Sequence, residues 1–172
     1  MDRIEQNIVV FGCGAMALET CGYIQDMNAA RTADQPHLVV SDVVSPEFSR
    51  IAHMEAILGH PVAQRDTISE VHKKSVIGIG SPQAVDKISN AIRENGGSFV
   101  SVMHPSSYVS PHATVEAGVI IAPFAFVGPF ASIGKNAIIN VRATIGHDVT
   151  VGQGAIVSPH VDINGGATIG KY

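Results

Sequence analysis

The chain has 172 residues, a net charge of −4, 45% hydrophobic and 15% charged residues, enough for one domain or two small ones with sizeable cores. The charge leaves no basic footprint, which excludes nucleic acid as a partner. No apolar run is long enough to cross a membrane and Met1–Asn7 is no cleavable signal, so the cytoplasm is the expected compartment.

The first element is a short apolar strand, Asn7–Phe11, ending in Gly12-Cys13-Gly14-Ala15-Met16-Ala17 and followed by a helix to about Met27. Gly12 and Gly14 permit a tight turn with close backbone approach to a phosphate, and Ala17 packs closely on the strand. A second strand, His37–Ser41, ends at Asp42, the position from which a carboxylate binds a ribose hydroxyl. The plainer alternative is that the glycines only close a βα turn and Asp42 caps a loop; the nucleotide reading is favoured, though not for NAD specifically. Cys13 and Cys21 are too few and too close for a disulfide framework.

Residues 43–75 are irregular, with a short helix expected over Ile68–His72. Ser75–Ile79 reads as a buried strand. After Gly80, Ser81 caps a helix with Pro82 at its first position, and the helix runs to about Asn95 and is stopped by Gly96-Gly97. Ser98–Met103 is a further strand. The sum is an α/β unit of about four parallel strands over residues 1–104. It is shorter than a full dinucleotide domain and suits a mononucleotide or a nucleotide-sugar. His104-Pro105-Ser106-Ser107 forms the junction.

From Val109 the pattern changes. Every sixth residue to Ile169 is β-branched and aliphatic, through Val115, Ile121, Val127, Ile133 and onward. Four places after each stands Ala or Val. A six-residue period belongs to neither a helix nor a single strand; it is the signature of a β-helix whose short strands form the rungs of a prism. The aliphatic residues point inward and stack, the small residues fit a narrow interior, and three hexads make a coil, giving three to four coils over residues 105–172. The Gly or Asn after each aliphatic is expected to take left-handed backbone angles at a corner. A β-sandwich would need turn signals every 8–12 residues and is rejected.

Interior positions are inert, so chemistry belongs at corners. His147, two places past the inward Ile145, stands where structure asks only for a turn residue, and Asp148 beside it can orient it as a proton acceptor. A solvated surface histidine is an equal alternative on spacing alone. His104, His112 and His160 show no short paired spacing for zinc, so hydrolase or lyase chemistry at a metal is disfavoured. His53, His60 and His72 read as surface residues.

The strings VVFGCGAMALE, MHPSSYVSPHATV and above all IINVRATIGHDVTVG resemble the bacterial nucleotide-sugar acyltransferases of the sialic acid O-acetyltransferase type, over nearly the whole chain. The resemblance implies a Rossmann-like N-terminal domain before a left-handed β-helix, working as a homotrimer in surface glycan biosynthesis. It implies an acetyl-CoA-dependent acetyltransferase acting on the amine, less readily a hydroxyl, of a nucleotide-linked sugar, with no metal. His147 would be the general base and Asp148 its acidic partner. Gly12, Gly14, Ala15, Asp42 and Gly80 would contact the nucleotide-sugar, and Gly152 and Gly170 the acetyl-CoA. The outward Phe124, Phe126 and Phe130 would be buried between subunits. The chain departs from the family in GCGAMALE, where a Gly-His-Gly-type stretch is common, and in Ser81-Pro82, where an Asp-Asn pair is. It also ends within a hexad at Gly170-Lys171-Tyr172, so a truncated prism is expected, and with it the alternative of a non-catalytic trimeric scaffold or nucleotide-sugar-binding module.

Overall fold

The computed structural model describes residues 4–32, 34–45, 49–65 and 74–172. Its N-terminal half is a sheet of five parallel strands: β1 (Glu5–Phe11), β2 (His37–Val44), β3 (Ala63–Arg65), β4 (Lys74–Ile77) and β5 (Ser98–Phe99). The order is β3-β2-β1-β4-β5, so the chain builds outward on one side of β1 and then returns to the other. Ile8–Phe11 are buried without alternation, as a strand covered on both faces must be. Helices α1 (Ala15–Ala30) and α2 (Ile51–Leu58) share one core with Ile8, Val10 and Val40, while α3 (Pro82–Glu94) packs on Val9, Phe11 and Ile77 of the opposite face.

Three expectations change here. β3 is an additional strand, too short and polar to read from its sequence, and it is recruited by pairing with the end of β2. β2 runs on through Asp42 to Val44, because Val43 and Val44 continue the buried run. Ser98–Met103 is two strands on two sheets: β5 pairs with β4, whereas Val102–Met103 pairs with Ile120–Ile121 of the prism. The expected helix at Ile68–His72 lies outside the described residues. The start of α3 is as anticipated, with the Ser81 hydroxyl accepting from Ala84 N–H and Pro82 at the first position.

Twelve two-residue strands, β6 (Val102–Met103) to β17 (Thr168–Ile169), build the second half. They fall on three parallel faces: β6, β9 (Ile120–Ile121), β12 (Ile138–Ile139) and β15 (Ile156–Val157); β7 (Tyr108–Val109), β10 (Phe126–Val127), β13 (Thr144–Ile145) and β16 (Asp162–Ile163); β8 (Thr114–Val115), β11 (Ser132–Ile133), β14 (Thr150–Val151) and β17. Phe126 pairs with Tyr108 on one side and Thr144 on the other, so each coil is 18 residues, or three hexads. Such stacked three-faced rungs are the arrangement expected of a left-handed β-helix. Inward Val127, Ile133, Ile139 and Ile145 with Ala125, Ala131 and Ala143 form one closed column.

The corners differ from expectation. The left-handed residue is the third after the inward aliphatic, not the first: Phe124, Phe130, Asn136, Arg142, Asp148 and His160 have φ of 55 to 61°, and Gly118, Gly154 and Gly166 fill equivalent places. A left-handed non-glycine residue costs about 1 kcal/mol. Here it is held by ladder bonds such as Arg142 N–H to Pro123 O at 3.1 Å. The glycines directly after the aliphatic are needed for another reason. A Cβ on Gly134 would lie 2.7 Å from Gln153 N, and one on Gly152 2.6 Å from Gly170 C, so the coils could not stack.

The two halves share a core. The outward residues of the first face, Val102, Ile120 and Ile138, are at most 1% exposed and pack with α1. Lying between sheet and prism, α1 buries Ala17, Thr20, Cys21, Tyr23 and Ile24. Among the described residues no helix is long and apolar enough to cross a membrane.

Candidate active site

The glycine turn sits where the strand order reverses, between β1 and β4. Gly12 has φ +107°, and a Cβ there would lie 2.8 Å from the Ile79 side chain and 2.9 Å from Gly78 O, so only glycine fits. Gly78 in turn admits α1, since its Cβ would fall 2.8 Å from Ala17 Cα; this is the close packing expected of Ala17. Gly14 is the N-cap of α1 and offers no side-chain acceptor, which leaves the first-turn amides open to an anion.

These groups open onto a cleft of about 570 Å³. Of the expected contacts, Gly12, Gly14, Ala15 and Gly80 line it. Asp42 does not. Its carboxylate is 2% exposed, accepts Arg65 Nε–H at 2.6 Å and Ser41 Oγ–H at 2.6 Å, and lies two residues before the end of β2. Ser45, just past the strand end, reaches the cleft instead.

The prism closes the cleft with Asn140, Val141 and Pro159, at the corner that follows its first face. Asn140 is 9% exposed, and its Oδ1 accepts Val141 N–H at 2.7 Å. Among the described residues Glu19 of α1 is the one carboxylate of the lining, and it accepts the Tyr23 hydroxyl at 3.1 Å. Burial, then the Glu19 charge and hydrogen bond, push the Tyr23 hydroxyl well above its ordinary range, so it stays a donor. Neither Glu19 nor Asn140 was singled out from sequence. The available signal for Asn140 was an amide side chain where the hexads one coil away carry the smaller Ala122 and Ser158.

His147 occupies the next corner, between the second and third faces. Its Nδ1 lies 2.7 Å from Asp148 Oδ2, with the side chains 68% and 60% exposed. Asp148 is the left-handed residue of the turn, and its N–H donates to Pro129 O one coil below. A carboxylate accepting at Nδ1 fixes the tautomer with the proton there and leaves the Nε2 lone pair free. The imidazole lies over Gly165 of the next coil, whose Cβ would be only 2.4 Å from Nε2. Of the other histidines, His112 stacks on Phe130 and His104 is bonded to Asp26 and Ser106. Among the described residues no three His, Cys, Asp or Glu converge as metal ligands.

The third face carries a groove of about 480 Å³, lined by the hydroxyl ladder Thr114, Ser132 and Thr150 and by Lys135 and Lys171. Gly152 lines it; Gly170 lies against Gly152 one coil above and is not part of the lining. Cleft and His147 stand at opposite ends of the second face, and the six residue steps from Val141 to His147 span at most about 20 Å. That face carries exposed aromatics, with Phe126 stacked on Tyr108 at 5.1 Å and Phe124 and Phe130 at its two corners.

No family model and no curated relative matches the chain. Among solved structures it is similar to a mutant of perosamine N-acetyltransferase from Caulobacter crescentus in complex with CoA and GDP-perosamine: TM-score 0.76, 23% identity, over 94% of this chain and 73% of that one. It is also similar to WeeI from Acinetobacter baumannii, with TM-score 0.69 and 16% identity over 98% and 76% of the two chains. The acetyltransferase domain of PglB from Neisseria gonorrhoeae gives TM-score 0.59 and 16% identity over 96% and 89%. At these identities the likeness shows a shared fold.

Proposed function

We propose that the protein is an acetyl-CoA-dependent N-acetyltransferase of a nucleotide-linked amino sugar, acting as a homotrimer. The observation that carries this reading is the His147–Asp148 pair. An exposed imidazole is fixed in one tautomer at a corner, over a glycine that clears its Nε2, in a fold shared with a sugar N-acetyltransferase bound to CoA and GDP-perosamine.

The N-terminal sheet is read as a Rossmann-like nucleotide site. The diphosphate lies on the open amides of α1 at Gly12, Gly14 and Ala15. The third-face groove suits the co-substrate acetyl-CoA, with Lys135 and Lys171 toward its phosphates and Gly152 beneath it. His147 Nε2 takes the proton from the sugar amine as its nitrogen attacks the thioester carbonyl. Asp148 steadies the imidazolium, which hands the proton to the departing thiolate. Because His147 and the cleft of one chain are a full face apart, the cleft is served by His147 of a second copy. The exposed aromatics of the second face then become subunit contact.

The test is acetyl-CoA-dependent thiol release with UDP-, dTDP- and GDP-linked amino sugars, comparing wild type with His147→Ala. Turnover that drops about a hundredfold or more in the variant is expected. Undiminished turnover in His147→Ala, or none in the folded wild-type trimer, would refute the assignment; the second outcome leaves a binding scaffold.

A further inference from the structure

Two polar side chains of the cleft come from different halves of the fold. Glu19 spends one carboxylate oxygen on Tyr23, and among the described residues Oε1 has no partner. Asn140, nine-tenths buried, lines the same space. Glu19 is exposed, and the hydrogen bond from Tyr23 favours one orientation of its carboxylate. Tyr23 is 7% exposed, and its ring stands edge-on to His104 at 5.8 Å. His104 is itself tied to Asp26 of α1 at 3.0 Å and to Ser106 at 2.8 Å. The carboxylate is therefore aimed by a side chain clamped between α1 and the first coil of the prism.

The direction of that aim is legible. Glu19 and Tyr23 are four residues apart and share one face of α1. Tyr23 touches the prism at His104, so Glu19 faces the same corner two coils higher, where Asn140 and Val141 line the cleft. Ser45 and Gly80 mark the other end, at the sheet. With a diphosphate on the α1 amides, the nucleoside lies at the sheet end and the sugar at the prism end, beside Glu19.

We propose that Glu19, positioned by Tyr23, is the specificity-determining residue that selects an amino sugar over its hydroxyl counterpart and over the acetylated product. This rests on the nucleotide-sugar reading of the cleft. The substrate amine, protonated in solution, binds the carboxylate in a charge-assisted hydrogen bond, about twice as strong as one from a neutral hydroxyl. It gives up that extra proton to solvent before its lone pair attacks and His147 takes the second proton. Acetylation turns the amine into a neutral amide and removes that attraction, so the same residue favours product release.

The experiment is calorimetric binding of the best-bound amino sugar from the UDP-, dTDP- and GDP-linked panel, beside its hydroxyl counterpart and its N-acetylated product. Wild type is expected to prefer the amine about tenfold over both. Glu19→Gln keeps an acceptor for the Tyr23 hydroxyl and should bring the three within about threefold. Tyr23→Phe should fall between. Preference unchanged in folded Glu19→Gln overturns the proposal, as does a wild type that binds all three equally. A folded wild type that binds no member of the panel overturns the cleft reading as well. Should Glu19→Gln fail to fold, wild type decides by salt. Between about 0.05 and 0.5 M the ratio of amine to hydroxyl affinity should fall toward one, and a constant ratio refutes the charge selection.

Discussion

Gly165→Ala is the sharpest perturbation of the proposed base, because it leaves His147 and Asp148 in place chemically. A Cβ at position 165 would lie 2.4 Å from His147 Nε2, 2.6 Å from Cε1 and 2.8 Å from Cδ2, about an ångström inside ordinary contact with the ring. The backbone at Gly165 is not left-handed, so alanine itself is unstrained. The imidazole is exposed and its ring must swing away, which breaks the 2.7 Å bond to Asp148. At the surface that bond contributes about 0.5–1.5 kcal/mol, little of it to global stability. The rate is another matter, since a general base works only within hydrogen-bond reach of its proton, and losing it costs about a hundredfold. The expected outcome is kcat lower by about ten- to a hundredfold, with KM for the nucleotide-sugar and the unfolding temperature nearly unchanged. Gly166→Ala is the control. Its φ is +76° with open space around it, so it should cost about 1 kcal/mol of stability and spare the rate. Thiol-release kinetics and thermal melts on both variants decide the matter: a Gly165→Ala enzyme with wild-type kcat would refute His147 acting from this position.

Gly12→Ala combines a left-handed φ with a backbone contact at Gly78 O, and should cost at least about 1–2 kcal/mol and weaken nucleotide binding, read by denaturant titration and calorimetry. Ile138→Ala empties an outward position sealed against α1 and should cost about 2–5 kcal/mol, whereas Thr150→Ala, outward on an open face, should stay within about 0.5 kcal/mol. Burial, then Cys13, push the Cys21 thiol from 9.0 up to about 12. The folded state thus holds a proton that the unfolded chain releases. Stability is intact below pH 9.0 and is lost at about 1.4 kcal/mol per pH unit as pH rises toward 12. Cys21→Ala should flatten that part of the pH–stability curve, and an unchanged slope would refute the assignment.

The N-terminal site was readable as far as backbone requirements go. Gly12, Gly14 and Ala17 are dictated by turn angle and helix–strand approach, which leave a local signature. Asp42 was misplaced because the end of β2 was set by Val43 and Val44 pairing with a strand, β3, that carries no apolar pattern of its own. Once β2 extends, Asp42 is inside the sheet and needs Arg65 as its counter-charge, which occupies it. Glu19 and Asn140 were missed for a different reason: they meet only because α1 is pressed against the prism, and each alone is an ordinary surface residue on its own element.

That docking was nonetheless written in the prism, at a spacing longer than the repeat. Six-residue counting finds the inward column, and all eleven inward positions look alike. The outward residue just before each differs by face, and its period is 18. Val102, Ile120, Ile138 and Ile156 are aliphatic, Tyr108 and Phe126 give way to Thr144 and Asp162, and Thr114, Ser132, Thr150 and Thr168 carry hydroxyls. Only the first series is sealed by α1. The second is aromatic where it remains exposed in one chain, and the third is the polar groove. One hexapeptide thus builds three unlike faces. The chemistry follows from that assignment, because the corner bearing His147 is the one opposite the sealed face. It is therefore the corner farthest from its own N-terminal sheet, and in the proposed trimer the one free to serve another copy's cleft.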